Sequence, residues 1–316
     1  MKLRYVTIYM ALAVLVILST NILSQTVKNV PKKGGLTVTS DSIDILGNKI
    51  AIKIYENTSK RTPLIFVSLH HNERLGRHLA KNAIEAKGGK MFEVVSVESN
   101  RLLRNVHFKH AGRELCIDPN RVFSEDGIKA TLSYSDFGEG CENVKDAEAI
   151  ALTKSVEVVN AIRAFQVKLL SWILPKTKNE ILVSVHNNLK ISLDNFYDIN
   201  DNDEFPNNEG TYIAHTDLVN ADKEYNHDFF MVSNNSLFAK LVAARRDKDD
   251  KQVFSIAVQK ENPNEKKGYL STFCSRNGHN YILIEAKHKL GEIVEGHDQR
   301  QKDMIDRVFT AFASQK

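Results

Sequence analysis

The alternation of strand-like and helix-like segments is the feature that most limits how this chain folds. Apolar runs rich in β-branched and aromatic residues have the length and composition of strands. They are Lys49–Tyr55, Pro63–Leu69, Met91–Val97, Ile181–Val185, Phe229–Val232, Val253–Val258 and Tyr281–Ile284. Apolar residues at helical spacing lie between or after several of them, at 75–84, Ala147–Leu170 and Gln299–Ala313. This order predicts an α/β sheet covered by helices on both faces, with its site at the carboxyl ends of the strands.

Composition excludes several other classes of protein. The chain has 316 residues, of which 42% are hydrophobic, enough for the core of one large domain. Three cysteines without a CxxC pair do not form a disulfide framework or a zinc finger, and they allow one bridge at most, for example Cys116 to Cys141. The formal net charge of +4 is too small to predict a nucleic-acid partner.

The first 24 residues have the pattern of a secretory signal peptide. Lys2 and Arg4 precede an apolar run from Met10 to Leu18, and small and polar residues follow before Gln25. An uncleaved N-terminal anchor is the alternative, since the apolar stretch approaches the length of a membrane span. We therefore expect a signal segment at 1–24 and a single domain at 25–316. The body would be secreted or periplasmic, with membrane contact only if the segment stays uncleaved.

Two apolar strands run directly into a histidine. His70 ends the first of them, and Glu73 follows three residues later as a helix begins; His186 ends the second. Imidazole and carboxylate are good zinc ligands, and three protein ligands with an open position are typical of a catalytic zinc. Hydrogen-bonded histidines at strand ends, with Glu73 stabilised by the helix dipole, are the alternative.

A third segment carries a cluster of anion-binding residues. Arg113 precedes Asn120 and Arg121, and two arginines with an asparagine form a receptor for a carboxylate or a developing oxyanion. A solvated charge cluster is the alternative.

A carboxylate, Glu285, ends one of the most apolar strands. Desolvation there would raise its pKa towards the range of a general base. Pairing of Glu285 with Lys287 or Lys289 is the alternative.

Together and in this order, these motifs resemble the zinc carboxypeptidase superfamily over roughly residues 60–290. That superfamily includes pancreatic-type carboxypeptidases, murein-peptide amidases, and the succinylglutamate desuccinylase/aspartoacylase branch. The His-x-Asn-Glu form of the first motif and the spacing from Arg113 to Asn120 resemble that last branch most. The resemblance implies a mixed, mainly parallel twisted sheet between helices, one zinc ion per chain, and hydrolysis of an amide next to a carboxylate.

The resemblance also implies a role for each matching residue. His70, Glu73 and His186 would bind zinc. Glu285 would activate the water, and Arg113 would polarise the scissile carbonyl. Asn120 and Arg121 would hold the substrate carboxylate.

The chain departs from the family pattern at three points. His71 stands where that branch has Gly, and Pro119 stands where it has Leu. The tyrosine that closes over substrate has two candidates, Tyr269 and Tyr225. The segment Asp194–Asp228 is long and rich in Asn and Asp, which favours a lid or rim over the cleft.

The sequence therefore predicts a zinc metallocarboxypeptidase acting on peptides or cell-wall peptides. Its partner would be a peptide or N-acyl amino-acid substrate with a free carboxylate. An N-acyl amino-acid deacylase and a non-catalytic binding protein on the same fold are the alternatives.

Overall fold

A computed structural model of the chain describes residues 35–98, 100–133, 151–188, 212–214, 228–244, 254–259, 268–287 and 297–313. The predicted signal segment, Cys141, Tyr225 and all but 212–214 and Asp228 of the Asn/Asp-rich segment lie outside these residues. Within the described ranges, no helix has both the length and the apolar character needed to cross a membrane.

In the described part of the chain, nine strands form one sheet, and four others form two separate two-stranded ribbons. The bounds of the strands are β1 Leu36–Ile45, β2 Asn48–Asn57, β3 Leu64–Ser68, β4 Gly89–Val94, β5 Val97–Glu98, β6 Arg101–Leu102, β7 Val106–His110, β8 Arg113–Ile117, β9 Ile181–Asn188, β10 Tyr212–Ala214, β11 Phe229–Val232, β12 Ser255–Gln259 and β13 Tyr281–Lys287.

The large sheet is mixed, with its parallel strands at the centre. Its order is β1-β2-β4-β3-β9-β13-β11-β12-β10. The central strands β4, β3, β9 and β13 are mutually parallel, whereas antiparallel pairs flank them on either side. This arrangement confirms the predicted α/β class and brings the carboxyl ends of β3, β9 and β13 to one edge.

Helices cover both faces of this sheet. Their bounds are α1 Arg74–Lys87, α2 Glu125–Ser133, α3 Val156–Ile173, α4 Asn235–Ala243, α5 Leu270–Arg276 and α6 His297–Phe312. Buried residues of α2, α3 and α5 belong to one core cluster, and those of α1, α4 and α6 belong to the other. The sheet therefore lies between two apolar layers, as parallel central strands require.

Two predicted helices and seven predicted strands appear within a few residues of their expected positions, whereas β1, the short strands β5 to β8 and β10, and three short helices were missed. β1 carries Thr, Ser and Asp along an edge of the sheet, so its sequence lacks a strong apolar run. It is fixed instead by a tight turn to β2, in which Leu46 and Gly47 both have positive φ. The third predicted helix, Ala147–Leu170, corresponds to α3, and its residues 147–150 lie outside the described part of the chain.

The state of the described cysteines is consistent with the expected maximum of one disulfide bond. Cys116 is disulfide-bonded, and Cys274 is free and buried.

A buried charged cluster fastens β2 and β4 to the turn between β3 and α1. Glu93 on β4 accepts a hydrogen bond from the Tyr55 hydroxyl at 2.7 Å. Its other oxygen lies 2.9 Å from His71 Nε2 and 3.0 Å from Arg77 Nη1. Burial acts to raise the pKa of Glu93, but the bonds from His71 and Tyr55 and the charge of Arg77 outweigh it, so the pKa lies below its ordinary value. His71 is therefore a buried partner of Glu93.

We expect Glu93→Gln to destabilise the protein at neutral pH by about 3 kcal/mol, because it leaves the partly buried Arg77 without its ion-pair partner. A lowered pKa stabilises the fold above the unfolded-state pKa, and this contribution is lost as the pH falls through the folded-state pKa. The difference between the two proteins in urea unfolding should therefore shrink below about pH 4.

The matched control is Glu56→Gln on β2, where the carboxylate pairs with Lys90 at 3.5 Å and both side chains are exposed. That change should alter the free energy of unfolding by less than about 0.5 kcal/mol. Equal effects of the two substitutions, or a Glu93→Gln effect independent of pH, would contradict the account.

Candidate metal centre

His70, Glu73 and His186 meet at the carboxyl edge of the central parallel strands. His70 lies two residues beyond the end of β3, and His186 lies two residues before the end of the neighbouring strand β9. Glu73 is the residue just before α1 begins, and its backbone N–H donates to the His70 carbonyl at 3.2 Å. The turn from β3 into α1 therefore carries Glu73 back towards the strand ends.

The carboxylate of Glu73 lies between the two imidazole rings. Its Oε1 lies 2.8 Å from His70 Nδ1, and its Oε2 lies 3.0 Å from His186 Nδ1. All three residues are buried, with at most 4% of their surface exposed. Burial acts to raise the pKa of Glu73, but the two imidazoles lower it far below its ordinary value, so the group is ionised.

The other nitrogen of each ring has a separate partner. His70 Nε2 lies 2.8 Å from Asp118 Oδ1, and His186 Nε2 lies 2.7 Å from the Ser184 hydroxyl. Histidines that bind metals usually give their second ring nitrogen to such an outer partner, which fixes the orientation of the ring. Both Nδ1 atoms are thus directed at the same point.

These three residues fit a metal ion. Their ligand atoms all lie within 4.8 Å of one another. Glu73 Oε2 is buried and has no well-formed hydrogen bond, although His186 Nδ1 is close to it. Two imidazole nitrogens and a carboxylate without a thiolate are the ligand set of many catalytic zinc sites.

Arg104 lies beside this cluster, although no sequence motif pointed to it. Its guanidinium contacts Glu73 Oε1 at 3.2 Å and Asp118 Oδ2 at 3.5 Å. Burial acts to lower the pKa of this guanidinium, whereas the charges of Asp118, Glu73 and Glu285 raise it, and the net direction is upward. Arg104 is about 31% exposed, so it is accessible from the solvent side.

Asp118 follows the buried end of β8 and connects the cluster to the next motif. Its backbone N–H donates to Thr131 Oγ1 at 2.7 Å, and its Oδ1 also accepts from the Asn120 backbone N–H at 2.8 Å. Burial acts to raise its pKa, but His70 and Arg104 lower it far below its ordinary value. A carboxylate directly after an apolar strand and beside Asn120-Arg121 was the available signal for this residue.

Asn120, Arg121 and Tyr269 lie together. Arg121 Nε is 3.8 Å from Asp118 Oδ2, and its guanidinium carbon is 4.3 Å from the centre of the Tyr269 ring. The Leu270 backbone N–H donates to Asn120 Oδ1 at 3.4 Å, which fastens the start of α5 to this segment. The predicted pair and the first candidate tyrosine are thus neighbours.

Glycine allows this close approach of the two segments. A Cβ on Gly268 would lie 2.4 Å from the Arg121 carbonyl, and one on Gly127 would lie 2.3 Å from the same atom. Gly268 also has φ +68°, which favours glycine.

Glu285 lies on β13, in direct register with His186 on the parallel strand β9. Both side chains therefore point to the same face of the sheet. Glu285 is 7% exposed. Glu285 is therefore a neighbour of His186 across the two parallel strands.

Arg113 lies away from the other predicted residues. It begins β8 next to a turn at Ala111 and Gly112, and its side chain is exposed. Asp118 lies five residues further along the chain, a distance of about 16 Å for an extended strand. Of the two arginines, Arg104 is the one in contact with the cluster. The rival tyrosine, Tyr225, lies outside the described residues.

Several solved structures are similar to this chain at low sequence identity. Bovine thrombin-activatable fibrinolysis inhibitor, solved with a tick carboxypeptidase inhibitor, matches with a TM-score of 0.45 and 12% identity, over 98% of this chain and 95% of that one. A succinylglutamate desuccinylase from Chromobacterium violaceum matches with a TM-score of 0.44 and 9% identity, over 91% and 74%. An aspartoacylase family protein from Mesorhizobium loti matches with 0.40 and 11%, over 93% and 73%.

No protein-family model and no curated protein matches the chain.

We expect Asp118→Asn to weaken zinc binding by about 10- to 100-fold, because it removes the charged outer partner of His70 while keeping the size of the side chain. Competition with a chromophoric chelator measures the affinity. The matched control is Glu114→Gln on β8, which alters another histidine–carboxylate pair, His107 Nδ1 to Glu114 at 2.9 Å. Unchanged affinity in Asp118→Asn, or an equal loss in Glu114→Gln, would contradict this role of Asp118.

Proposed function

We propose that this protein is a zinc-dependent hydrolase that cleaves an amide next to a free carboxylate, as a metallocarboxypeptidase on peptides or cell-wall peptides. One observation carries the proposal: both imidazole Nδ1 atoms converge on Glu73 while both Nε2 atoms are held by other groups. That arrangement is expected of metal ligands rather than of histidines that only stabilise a fold. We also propose that the chain works outside the cytosol, on the signal-peptide pattern of its first 24 residues.

His70, Glu73 and His186 would hold the zinc ion. When bound, zinc supplies Lewis acidity and lowers the pKa of a bound water to about 7. Glu285 would accept a proton from the attacking water and return it to the leaving nitrogen as the amide bond breaks. Its register with His186 supports this assignment, since a general base must lie beside the ligands.

The arginines would bind and stabilise negative charge on the substrate. Arg104, rather than Arg113, would stabilise the oxygen of the attacked carbonyl, because it contacts two residues of the cluster and is partly exposed. Arg121 and Asn120 would hold the substrate carboxylate, with Tyr269 stacked against the guanidinium of Arg121. Preorganised positive charge of this kind favours a substrate with a free carboxylate.

A deacylase of N-acyl amino acids is the second candidate. The His-x-Asn-Glu form of the first motif and the seven-residue spacing from Arg113 to Asn120 favour it. Both reactions use the same centre and differ in which side of the amide carries the recognised carboxylate. A non-catalytic binding protein is the third, and it predicts no turnover of any substrate.

The reaction products formed by the zinc-loaded wild-type protein distinguish these three candidate functions. Incubation with free peptides, murein stem peptides and N-acyl amino acids, followed by mass spectrometry, should show loss of a C-terminal residue from a peptide. Glu285→Gln should keep the metal and lower turnover at least about 100-fold, because it removes the general base. Release of only an acyl group would support the deacylase, and absence of turnover with zinc bound would overturn the enzyme proposal.

Substitution of Arg104 should affect kcat/KM much more than substitution of Arg113. We expect Arg104→Ala to lower kcat/KM by about 100- to 1,000-fold, the usual effect of removing an oxyanion-stabilising donor. Arg113→Ala should change it less than about threefold, because its side chain is exposed at the other end of β8. Zinc content is measured for both variants, so that loss of metal is separated from loss of chemistry. A large effect of Arg113→Ala with little effect of Arg104→Ala would restore the role predicted from sequence.

A further inference from the structure

A buried amide network holds the backbone of His186. Gln301 on α6 donates from Nε2 to the His186 carbonyl at 3.1 Å, and its Oε1 accepts from Asn187 Nδ2 at 2.8 Å. Asn187 Oδ1 in turn accepts from the Gly76 backbone N–H of α1 at 3.0 Å. Gln301 is 0% exposed and Asn187 is 4% exposed. Three hydrogen bonds thus join α6, β9 and α1 next to His186, the proposed metal ligand.

The Gln301 position in this network requires a side-chain amide. Gln301 must donate to one partner and accept from another, and its side chain offers one group of each kind. Methionine, of similar length, offers neither, so it would leave the His186 carbonyl and Asn187 Nδ2 without these bonds. Unsatisfied polar groups at a buried site are costly, so the local backbone is expected to shift.

Gly76 leaves the space in which the two amides meet. A Cβ at this position would lie 2.7 Å from Gln301 Nε2 and 3.3 Å from Asn187 Oδ1. Alanine at a helix position normally favours the helix over glycine. Here the added methyl group would instead push Gln301 away from its partners.

We infer that Gln301 is a positioning residue for the ligand His186, an inference that rests on the proposed metal centre. Ser184 holds the ring of His186 from its own strand. Gln301 holds the backbone from α6, which fixes the point from which that ring projects. Ligand sites lose affinity when their supporting groups are removed, because the ligand atoms are no longer held in place.

The first variant is Gln301→Met. We expect its zinc affinity, measured by competition with a chromophoric chelator, to fall at least tenfold. The matched control is Met304→Ala, three residues later on the same helix, where a fully buried side chain belongs to the apolar core on that face. Met304→Ala should lower the thermal midpoint at least as much as Gln301→Met while keeping the wild-type zinc affinity.

The second variant is Gly76→Ala, which disturbs the same network from α1 and serves if Gln301→Met does not fold. It should show the same loss of zinc affinity. Wild-type affinity in a folded Gln301→Met or Gly76→Ala protein, or an equal loss in Met304→Ala, would overturn the positioning role. Failure of the wild-type protein itself to bind zinc would instead overturn the proposed function.

Discussion

The contact of one carboxylate with two imidazoles is the interaction on which the rest of the site depends. Glu73 is buried and ionised between His70 and His186. A buried charge is unfavourable unless partners compensate it, and Arg104 supplies the third partner. Asp118 and Glu285 add two further carboxyl groups beside Glu73, and Arg121 adds a second guanidinium group next to Asp118.

The whole fold, rather than one local motif, creates this arrangement. Parallel pairing of β3, β9 and β13 brings His70, His186 and Glu285 to one edge of the sheet. The outer partners come from other elements: Asp118 follows β8, and Gln301 lies on α6. Loss of one of these outer hydrogen bonds is therefore expected to affect the ligands, even though its donor or acceptor lies far from them along the chain.

Local signals in the sequence were sufficient for the central residues. His70 and His186 stand at the ends of apolar strands, and Glu73 stands three residues after His70 where a helix begins, so pattern and topology together predicted their meeting. Arg104 stands before β7 in a segment without periodicity, and only the tertiary structure brings it to Glu73. Gln301 is 115 residues from His186 in the chain. It is one of several polar residues on an amphipathic helix, so the sequence gives no sign of that contact. Spacing alone selected Arg113, and the β7–β8 ribbon places that residue at its exposed end.

X-ray absorption spectroscopy of the zinc-loaded protein tests whether His70, Glu73 and His186 bind the metal. These ligands predict a first shell of nitrogen and oxygen at about 2.0 to 2.2 Å, with the multiple scattering of two imidazoles and no sulfur at about 2.3 Å. In the His70→Ala and His186→Ala double variant, the imidazole signal should be lost. A sulfur shell, or an unchanged imidazole signal in that variant, would show that the metal binds elsewhere and would contradict the account.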